Sequence, residues 1–427
     1  MLSTVVEKER TLLVGVIHGM QIQELVEENL SELALLAHTA GAEVVGEIVQ
    51  KRSQLHPALY VGKGKTEEII NMVAMLKVDT VIFDDELSPA QTKNLQKLIK
   101  KARVMDRSTL ILDIFVRHAS SKESKTQVEL AQLQYLLPRL TRAWSHLERQ
   151  RGATGTRGGM GETQIEVDRR LVRNRIATLK TDLNKIEKQR NTRRKHRDEM
   201  YKVALVGYTN AGKSSLMNLF SDANVLVEDK LFATLDTTVR KVIVHDHPIL
   251  LSDTVGFIHK LPHHLIASFK STLQEVRHAD LILKVIDVST PQFDHHLETV
   301  DEVLISMGVS ERDMITVFNK IDLISDEKVL HTALKDYPEA VPVSVIRQIN
   351  ISSLEEAILE KRQGDYVVES LVLNHAQQKL LAYLHRSTEV LNVDYEDEGI
   401  MVSIRTRKGN LDQVRKQLRD AESDSLF

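Results

Sequence analysis

Apolar positions between residues 11 and 119 fall into short runs separated by amphipathic stretches. The run Thr11 to His18 predicts a strand, Ile22 to His38 an amphipathic helix and Ala42 to Val49 a second strand. Thr66 to Leu76 predicts a helix, Thr80 to Phe83 a strand, Pro89 to Ile99 a helix and Arg103 to Met105 a strand. Alternation of this kind predicts a small parallel α/β sheet.

Beyond residue 124 the period changes. Leu130, Leu133, Leu137, Leu140, Trp144 and Leu147 step by three and four, and Val172, Ile176, Leu179, Leu183 and Ile186 repeat the spacing. Each set makes a heptad seam. Between them Arg149 to Glu162 is too rich in glycine for helix, so two antiparallel helices joined by a basic tip are predicted. Pro138 falls inside the first helix, where it should introduce a kink. Residues 200–362 return to strand–helix alternation, which predicts a doubly wound sheet. The last stretch predicts strand (Tyr366 to Leu373), helix (Ala376 to His385), strands (Val390 to Asp394, Gly399 to Thr406) and helix (Leu411 to Leu418).

The fold class that follows is α/β in four parts. An N-terminal parallel α/β domain spans 1–120, and a basic helical hairpin with a glycine-rich tip spans 121–199. A Ras-like P-loop domain spans 200–364, and a small α+β C-terminal domain spans 365–427. A chain of 427 residues has room for two to four domains. It has no cysteine, which excludes disulfides and Cys-based zinc sites and fits a reducing compartment. The first ten residues lack the apolar core of a signal peptide, and no run reaches the ~18 apolar residues of a membrane span. The expectation is a soluble, cytoplasmic monomer.

Charge singles out the hairpin. Arg139 to Arg197 carries 17 Lys/Arg against 6 Asp/Glu, a net of +11, while the whole chain sums to −3. Segregated positive charge beside glycine, which lets backbone approach phosphate, predicts salt-sensitive polyanion binding. RNA read by shape and backbone fits better than base readout, since no aromatic series interleaves the charges. Arg149, Arg151 and Arg157 at the tip are the candidate RNA contacts. The bland alternative is a solvated helical face.

The chemistry is concentrated at Gly207-Tyr208-Thr209-Asn210-Ala211-Gly212-Lys213-Ser214, which follows the strand-like run Val203 to Val206 and opens a helix at Ser215. This is G-x-x-x-x-G-K-S in the strand–loop–helix setting of a phosphate-binding loop. Backbone N–H groups curl around an anion, and the helix N-terminus adds partial positive charge. Lys213 would reach the outer phosphates and the Ser214 hydroxyl would ligate Mg²⁺.

Asp253-Thr254-Val255-Gly256 follows the apolar run Ile249-Leu250-Leu251, so Asp253 can hold Mg²⁺ through water and Gly256 can offer its N–H to the γ-phosphate. Asn319-Lys320-Ile321-Asp322 follows the run Met314 to Phe318. An aspartate there can accept from guanine N1–H and the 2-amino group, neither of which adenine has. A buried carboxylate left unpaired discriminates by roughly 10⁴–10⁵. In this order the motifs predict GTP and GDP as ligands. Leu231 to Thr238 should supply a switch threonine, with Thr234, Thr237 and Thr238 competing on spacing. Val343-Ser344-Val345 is the candidate guanine-side turn, and a poor match to a Ser-Ala-type element.

Four further features are legible. Val61-Gly62-Lys63-Gly64-Lys65 is either a helix-capping turn or an anion loop. In Asp84 to Pro89, Ser88 reads as an N-cap with Pro89 at the first helical position. His263-His264 and His295-His296 lack the i, i+4 spacing of paired metal ligands and read as surface residues. Phe257 stands directly after Gly256, where Ras-like enzymes carry the glutamine that orients the attacking water. Phenylalanine cannot do that, so slow intrinsic turnover, raised by a partner, is expected.

The chain resembles the HflX family of GTPases over essentially its whole length. The resemblance rests on Tyr60-Val61-Gly62-Lys63-Gly64-Lys65, on Phe83-Asp84 through Leu87-Ser88-Pro89-Ala90-Gln91, on Leu112-Asp113-Ile114-Phe115 and on Gly161-Glu162-Thr163-Gln164. Gly207 to Ser214 and Phe232-Ala233-Thr234-Leu235-Asp236 complete it. It implies binding to the large ribosomal subunit and its rRNA, GTP hydrolysis, and a part in dissociating stalled or idle ribosomes under stress, with the hairpin directed at the peptidyl-transferase region. It implies Thr234 as the switch threonine, contacting Mg²⁺ and the γ-phosphate, with Phe232 at the nucleotide. In GTPases that resemble this one, an asparagine at the position of Asn210 can ligate K⁺. The tip reads Arg157-Gly158-Gly159-Met160-Gly161 where relatives have a shorter Arg-Gly-Pro-Gly, and Val345 stands where alanine is usual. Two other readings stay open on sequence: a GTP-dependent switch for a protein effector, and an ATP-using RNA-remodelling activity around Gly62 to Lys65.

Overall fold

A computed structural model describes residues 8–19, 21–143, 160–194, 200–221, 231–232, 235–260, 274–309, 312–364, 366–374, 377–396, 399–407, 411, 414–415 and 417–418. Strands β1 (Arg10–His18), β2 (Glu43–Arg52), β3 (Thr80–Phe83) and β4 (Arg103–Asp106) form a parallel sheet in the order β2-β1-β3-β4. Around it lie α1 (Gln23–Thr39), α2 (Lys63–Met75), α3 (Pro89–Leu98) and α4 (Arg107–His118). Alternate residues of β1 serve the two faces, as the period of two requires. Leu12 and Val14 join Ile69 of α2 and Leu95 of α3, while Leu13 joins Leu33 of α1 and Phe115 of α4.

Ser88 caps α3 in a reciprocal capping box with Gln91, and Pro89 takes the first turn, as the sequence indicates. Helix α2 begins earlier than expected, at Lys63. Gly62 is its N-cap, so Lys63, Gly64 and Lys65 form a first helical turn rather than a loop. Helix α4 is an addition. It starts where the Asp106 carboxylate accepts from Thr109 N–H, and buries Leu110, Ile111, Ile114 and Phe115.

Two long helices follow, α5 (Lys122–Ala143) and α6 (Met160–Arg194). They pair along the anticipated seams, with Leu130 and Leu179 buried, and a two-pronged Arg175–Glu129 bridge (2.6 and 2.8 Å) ties them at the surface. Helix α5 runs through Pro138, and α6 already includes Met160, Gly161 and Glu162, which glycine content had assigned to the tip. Trp144, Leu147, Arg149, Arg151 and Arg157 lie outside the described residues.

The second sheet has the order β10-β9-β8-β5-β7-β6. Its strands are β5 (Tyr201–Gly207), β6 (Thr238–Val244), β7 (His247–Asp253), β8 (Leu281–Asp287), β9 (Asp313–Asn319) and β10 (Val341–Pro342). All pairs are parallel except β6 with β7. Helices α7 (Lys213–Ser221), α8 (Gln274–Arg277), α9 (Phe293–Ser306), α10 (Glu327–Asp336) and α11 (Ile351–Gly364) accompany it. A third, antiparallel sheet of β11 (Tyr366–Leu373), β12 (Glu389–Glu396) and β13 (Gly399–Arg407) backs onto α12 (Gln378–Ser387) through Leu373, Leu384 and Ile404.

The first two sheet units share a core. Tyr208, Leu231, Phe232, Leu235, Val255 and Ile258 from the second pack in one apolar cluster with Leu33, Leu36 and Phe115 of the first. No helix among the described residues is long and apolar enough to cross a membrane.

Candidate nucleotide site

Strand β5 runs between β7 and β8, so the loop after it emerges from the middle of the sheet at the carboxyl ends of the parallel strands. Two of its glycines are dictated by close approach. A Cβ on Gly207 would lie 2.1 Å from Val285 O, and one on Gly212, whose φ is +97°, would lie 2.2 Å from Asn319 Nδ2. Asn210 holds φ +60°, a left-handed conformation that asparagine tolerates better than most residues.

Lys213 is buried, and its Nζ donates to Tyr208 O (2.6 Å) and Gly207 O (3.1 Å). Burial pushes its pKa down to about 8, with Asp253 opposing the shift and Lys320 adding to it. The register of β5 on β7 sets Leu205 beside Asp253, which brings the Asp253 carboxylate to the start of α7. There Ser214 Oγ donates to Asp253 Oδ2 at 2.7 Å. A hydroxyl and a buried carboxylate in contact are hard oxygen donors of the kind Mg²⁺ takes. Thr234 lies outside the described residues. Gly256 packs so tightly on the loop that a Cβ would fall 2.9 Å from Thr209 Cα and 3.0 Å from Lys213 Nζ. Phe257 is buried, and its backbone pairs with the loop: Thr209 N–H donates to Phe257 O (2.7 Å) and Phe257 N–H to Gly207 O (3.0 Å).

The base-side motif is assembled around Asn319. Its Nδ2 donates to Ala211 O at 2.8 Å, and its Oδ1 accepts from Val345 N–H at 3.2 Å. Ser344 Oγ donates to Asp322 Oδ1 at 2.5 Å, so the poorly matching Val343-Ser344-Val345 turn does stand beside the N-K-x-D motif. Lys320 adopts φ +65° and reaches Asp287 Oδ2 at 2.7 Å. Ser215 is half-buried in the first turn of α7.

Much of this site rests on the first sheet unit, which sequence reasoning missed. Tyr208 OH donates to Glu32 Oε1 of α1 (2.8 Å) and accepts from His259 N–H (2.7 Å). Burial and the adjoining Glu32 carboxylate hold its phenol above the usual range, so it stays a donor. Lys260, four residues past Gly256, forms ion pairs with Asp84 and Asp85. Asp84 also accepts from Arg107 Nη1 (2.8 Å), whose Nη2 reaches Glu32 Oε2 (2.7 Å). Burial works against the Asp84 carboxylate, but Arg107 and Lys260 outweigh it and hold its pKa below the ordinary value. The acidic loop thus does more than precede a capped helix.

The Phe232 ring packs edge-to-face on Phe115 of α4 (centroids 4.7 Å). This buries an aromatic pair that water would otherwise cover. His295 and His296 are half-buried between the sheet units rather than surface residues. The His296 ring stacks on Tyr208 (3.9 Å), and His295 Nε2 lies 3.1 Å from His259 Nδ1. Among the described residues no cluster of three or more His, Asp or Glu could hold a metal ion. Asp236 receives Ser120 Oγ (2.5 Å) and Ser121 Oγ (2.5 Å), which fixes the segment after Thr234 to the start of the hairpin. His263 and His264 lie outside the described residues.

Three family profiles match in succession. One described as GTP-binding GTPase N-terminal covers residues 27–116, one described as GTP-binding GTPase Middle Region covers 118–197, and one described as 50S ribosome-binding GTPase covers 202–320. The GTPase HflX of Flavobacterium psychrophilum is 52% identical over 74% of this chain and 76% of its own length. That of Caldanaerobacter subterraneus is 44% identical over 93% and 90%, and that of Escherichia coli 41% identical over 93% and 94%. Together with a phosphate loop, a D-x-x-G segment and an N-K-x-D motif assembled at one end of one sheet, these matches establish that the chain is a P-loop GTPase and belongs to the HflX family.

Proposed function

We propose that this GTPase binds the large ribosomal subunit and uses GTP binding and hydrolysis to gate ribosome dissociation or rescue under stress, acting as a cytoplasmic monomer. The observation that carries the reading is the continuity from hairpin to nucleotide. Helix α4, against which Phe232 packs, leads directly into α5, and Ser120 and Ser121 at that junction hold Asp236. A partner that grips the hairpin therefore acts on the segments flanking the nucleotide. The match to a profile described as 50S ribosome-binding GTPase, and the +11 charge between Arg139 and Arg197, support RNA as the surface gripped.

In this reading the loop from Gly207 to Ser215 cradles the phosphates, Lys213 and the Gly256 N–H meet the outer phosphate, and Asn319, Lys320, Asp322, Ser344 and Val345 surround guanine. Ser214, Asp253 and Thr234 hold Mg²⁺, which when bound neutralises phosphate charge. Asn210 is assigned to K⁺. Arg149, Arg151 and Arg157 meet rRNA.

The test is co-sedimentation with purified large subunits, with GDP and with a non-hydrolysable GTP analogue. Binding favoured by the analogue is expected. Alanine at Arg149, Arg151 and Arg157 should weaken it and reduce the log–log salt slope by about 0.7–0.9 for each lost phosphate contact. Absence of nucleotide-dependent binding would leave a switch for a protein effector as the better account.

A further inference from the structure

A cleft of about 190 Å³, far more than one bound water needs, lies between α1 of the first sheet unit and the phosphate loop. Glu28, Asn29 and Glu32 line it on the α1 side, and Thr209, Asp287 and His296 line it on the nucleotide side. Leu231 adds a buried apolar wall, and Leu35 is an exposed one, so the cleft reaches the surface there. Its polar lining is incompletely used. Glu28 Oε2, Asn29 Nδ2, Thr209 Oγ1 and His296 Nδ1 are each buried with no hydrogen-bond partner among the described residues. Asn29 is 3% exposed and Thr209 7%, so bulk water does not serve them. Buried polar atoms are ordinarily paired, and four unpaired ones around a single cleft point to an occupant.

Charge narrows what that occupant is. Three carboxylates line the cleft, and two of them already have a cation. Glu32 Oε2 accepts from Arg107 Nη2 at 2.7 Å, and Asp287 Oδ2 meets Lys320 Nζ at 2.7 Å. Glu28 has no Lys or Arg partner among the described residues. Its Oε1 stands 3.7 Å from His296 Nε2, beyond hydrogen-bond reach. Burial holds the His296 pKa down to about 4, so that ring brings no charge at neutral pH. Burial, which outweighs the pull of His295, also holds the Glu28 carboxyl above its ordinary value, and the Glu32 charge adds to the shift. The cleft therefore contains one carboxylate whose charge is unmet, beside three polar atoms without partners.

We propose that this cleft binds an alkylguanidinium group, from an arginine side chain or from a small molecule carrying the same group, and that the bound cation bridges the two sheet units. A guanidinium presents several N–H donors in one plane and is more weakly hydrated than an ammonium, which suits a partly apolar cleft with several free acceptors. Glu28 Oε2 supplies the countercharge, and Thr209 Oγ1 and His296 Nδ1 offer lone pairs. Asn29 joins them when its amide turns over, which puts the carbonyl oxygen where the nitrogen stands. The alkyl stem lies along Leu35 and Leu231, as such stems do on apolar surface. Glu28 and Asn29 belong to one unit, and Thr209 and His296 to the other, so the group binds the joined arrangement of the two.

The experiment is isothermal titration calorimetry on the full chain with Mg²⁺ and GDP saturating. The probes are propylguanidinium chloride and propylammonium chloride at matched ionic strength, for wild type, Glu28→Gln and Glu27→Gln. Propylguanidinium should bind more tightly than propylammonium. Glu28→Gln should weaken it by about tenfold or more, the loss of a hydrogen bond to a charged group. Glu27 is exposed one residue away, outside the cleft, and Glu27→Gln makes the same charge change there, so it should alter binding by less than about twofold. Hydrogen exchange at the His259 amide, which donates across to Tyr208 OH, should slow as the probe saturates, because the probe binds only the joined units.

Two further titrations separate the sources. A blocked peptide with one arginine between glycines that binds as well as propylguanidinium assigns the cleft to a partner protein's side chain. Free L-arginine that binds where the peptide does not assigns it to a small molecule. Absence of binding by every guanidinium probe overturns the proposal, and so does equal binding of propylguanidinium and propylammonium. Equal weakening by Glu27→Gln and Glu28→Gln would mark diffuse surface charge and also overturn it. An affinity lost when K⁺ replaces Na⁺ would place the probe at the cation position assigned to Asn210 and not in this cleft. Binding that leaves His259 exchange unchanged overturns the bridging of the two units. The wild-type comparison of the two cations decides the matter even where a variant fails to fold, and no ribosome enters the assay.

Discussion

Removing one oxygen atom, in Tyr208→Phe, tests whether the phosphate loop is mechanically joined to the N-terminal sheet. The hydroxyl donates to Glu32 Oε1 at 2.8 Å and accepts from His259 N–H at 2.7 Å, so it links α1, the loop and the segment after Gly256. Phenylalanine preserves the ring stacked 3.9 Å from His296 and leaves the packing in place. Two costs remain. A hydrogen bond to a charged acceptor contributes about 1.5–3 kcal/mol, and a fully buried N–H left without an acceptor costs about 1–3 kcal/mol. Glu32 keeps Arg107 as a partner, so its own penalty is small. The His259 N–H is only part-buried, so water offsets some of its penalty and the net is about 2–4 kcal/mol against the docked arrangement.

Amide hydrogen exchange reads this directly, because local opening free energy sets the protection of each N–H. A loss of 2–4 kcal/mol accelerates exchange at His259 by roughly 30- to 1000-fold. The amides of Leu12 to Val16, in the centre of β1, should be unaffected. In a double-mutant cycle with Glu32→Gln, the two changes should be non-additive by about 1 kcal/mol, as for residues in contact. Exchange at His259 that changes less than about threefold, with additive mutants, would refute the linkage.

Three further outcomes are expected. Asp322→Asn should lower GTP affinity by several kcal/mol and partly favour xanthosine triphosphate, whose 2-oxo group is an acceptor; undiminished GTP binding would remove Asn319 to Asp322 as the guanine site. Arg107→Ala should destabilise the first sheet by about 3–5 kcal/mol in urea titrations, since two carboxylates lose their buried cation, and neutralising them with Glu32→Gln and Asp84→Asn should restore much of it. Finally, His259 and His296 both have pKa values lowered to about 4, chiefly by burial. The unfolded chain therefore binds protons first as the pH falls. The contribution is complete above the unfolded value of ~6.5 and is lost progressively from there toward 4. Equilibrium unfolding at a series of pH values checks the slope, which should be reduced in a His296→Phe chain.

The local parts of the site were legible because their signals are contiguous. A strand, G-x-x-x-x-G-K-S and a helix lie within twenty residues, and Ser88, Pro89 and Gln91 spell out a capped helix within four. The hairpin seams were legible because heptad spacing repeats. What could not be seen is carried by single residues far apart: Glu32 and Tyr208 are separated by 176 positions, as are Asp84 and Lys260. No periodicity encodes such pairs. Helix α4 escaped for a different reason, since Leu110 to Val116 is nearly continuous apolar sequence, and periodicity cannot assign so short a run to helix or strand. The direction of the Phe232 ring was not legible, because a motif names which residues recur and not which way each ring turns. The reciprocal clue was present in Phe115, an aromatic at the core face of a helix with no aromatic partner nearby in sequence.

The contact between the first sheet and the nucleotide site has two components that respond differently to force. Leu231, Phe232, Leu235, Val255 and Ile258 are each at most 6% exposed and lose hydrophobic contact gradually as they separate. The charged component is steeper. Asp84 is 2% exposed, and pulling Lys260 away leaves it compensated by Arg107 alone; drawing Arg107 out as well would strand a buried carboxylate. Breaking a buried pair costs about 3–5 kcal/mol, so partial displacement is penalised before any water can replace the lost partner. The segments around Phe232 and Lys260 therefore move with the first sheet, or separate from it in one step. Because α4 passes into α5 at Ser120 and Ser121, both bonded to Asp236, force on the hairpin enters this body at its contact with the nucleotide unit. A ligand shifts such an equilibrium only by its differential affinity for the joined and separated arrangements. With the linkage spread over an apolar cluster and a buried ion network, that difference has to amount to several kcal/mol. A polyanion engaging a segment of net charge +11 can supply energy of that order through counterion release, and does so in a salt-dependent way.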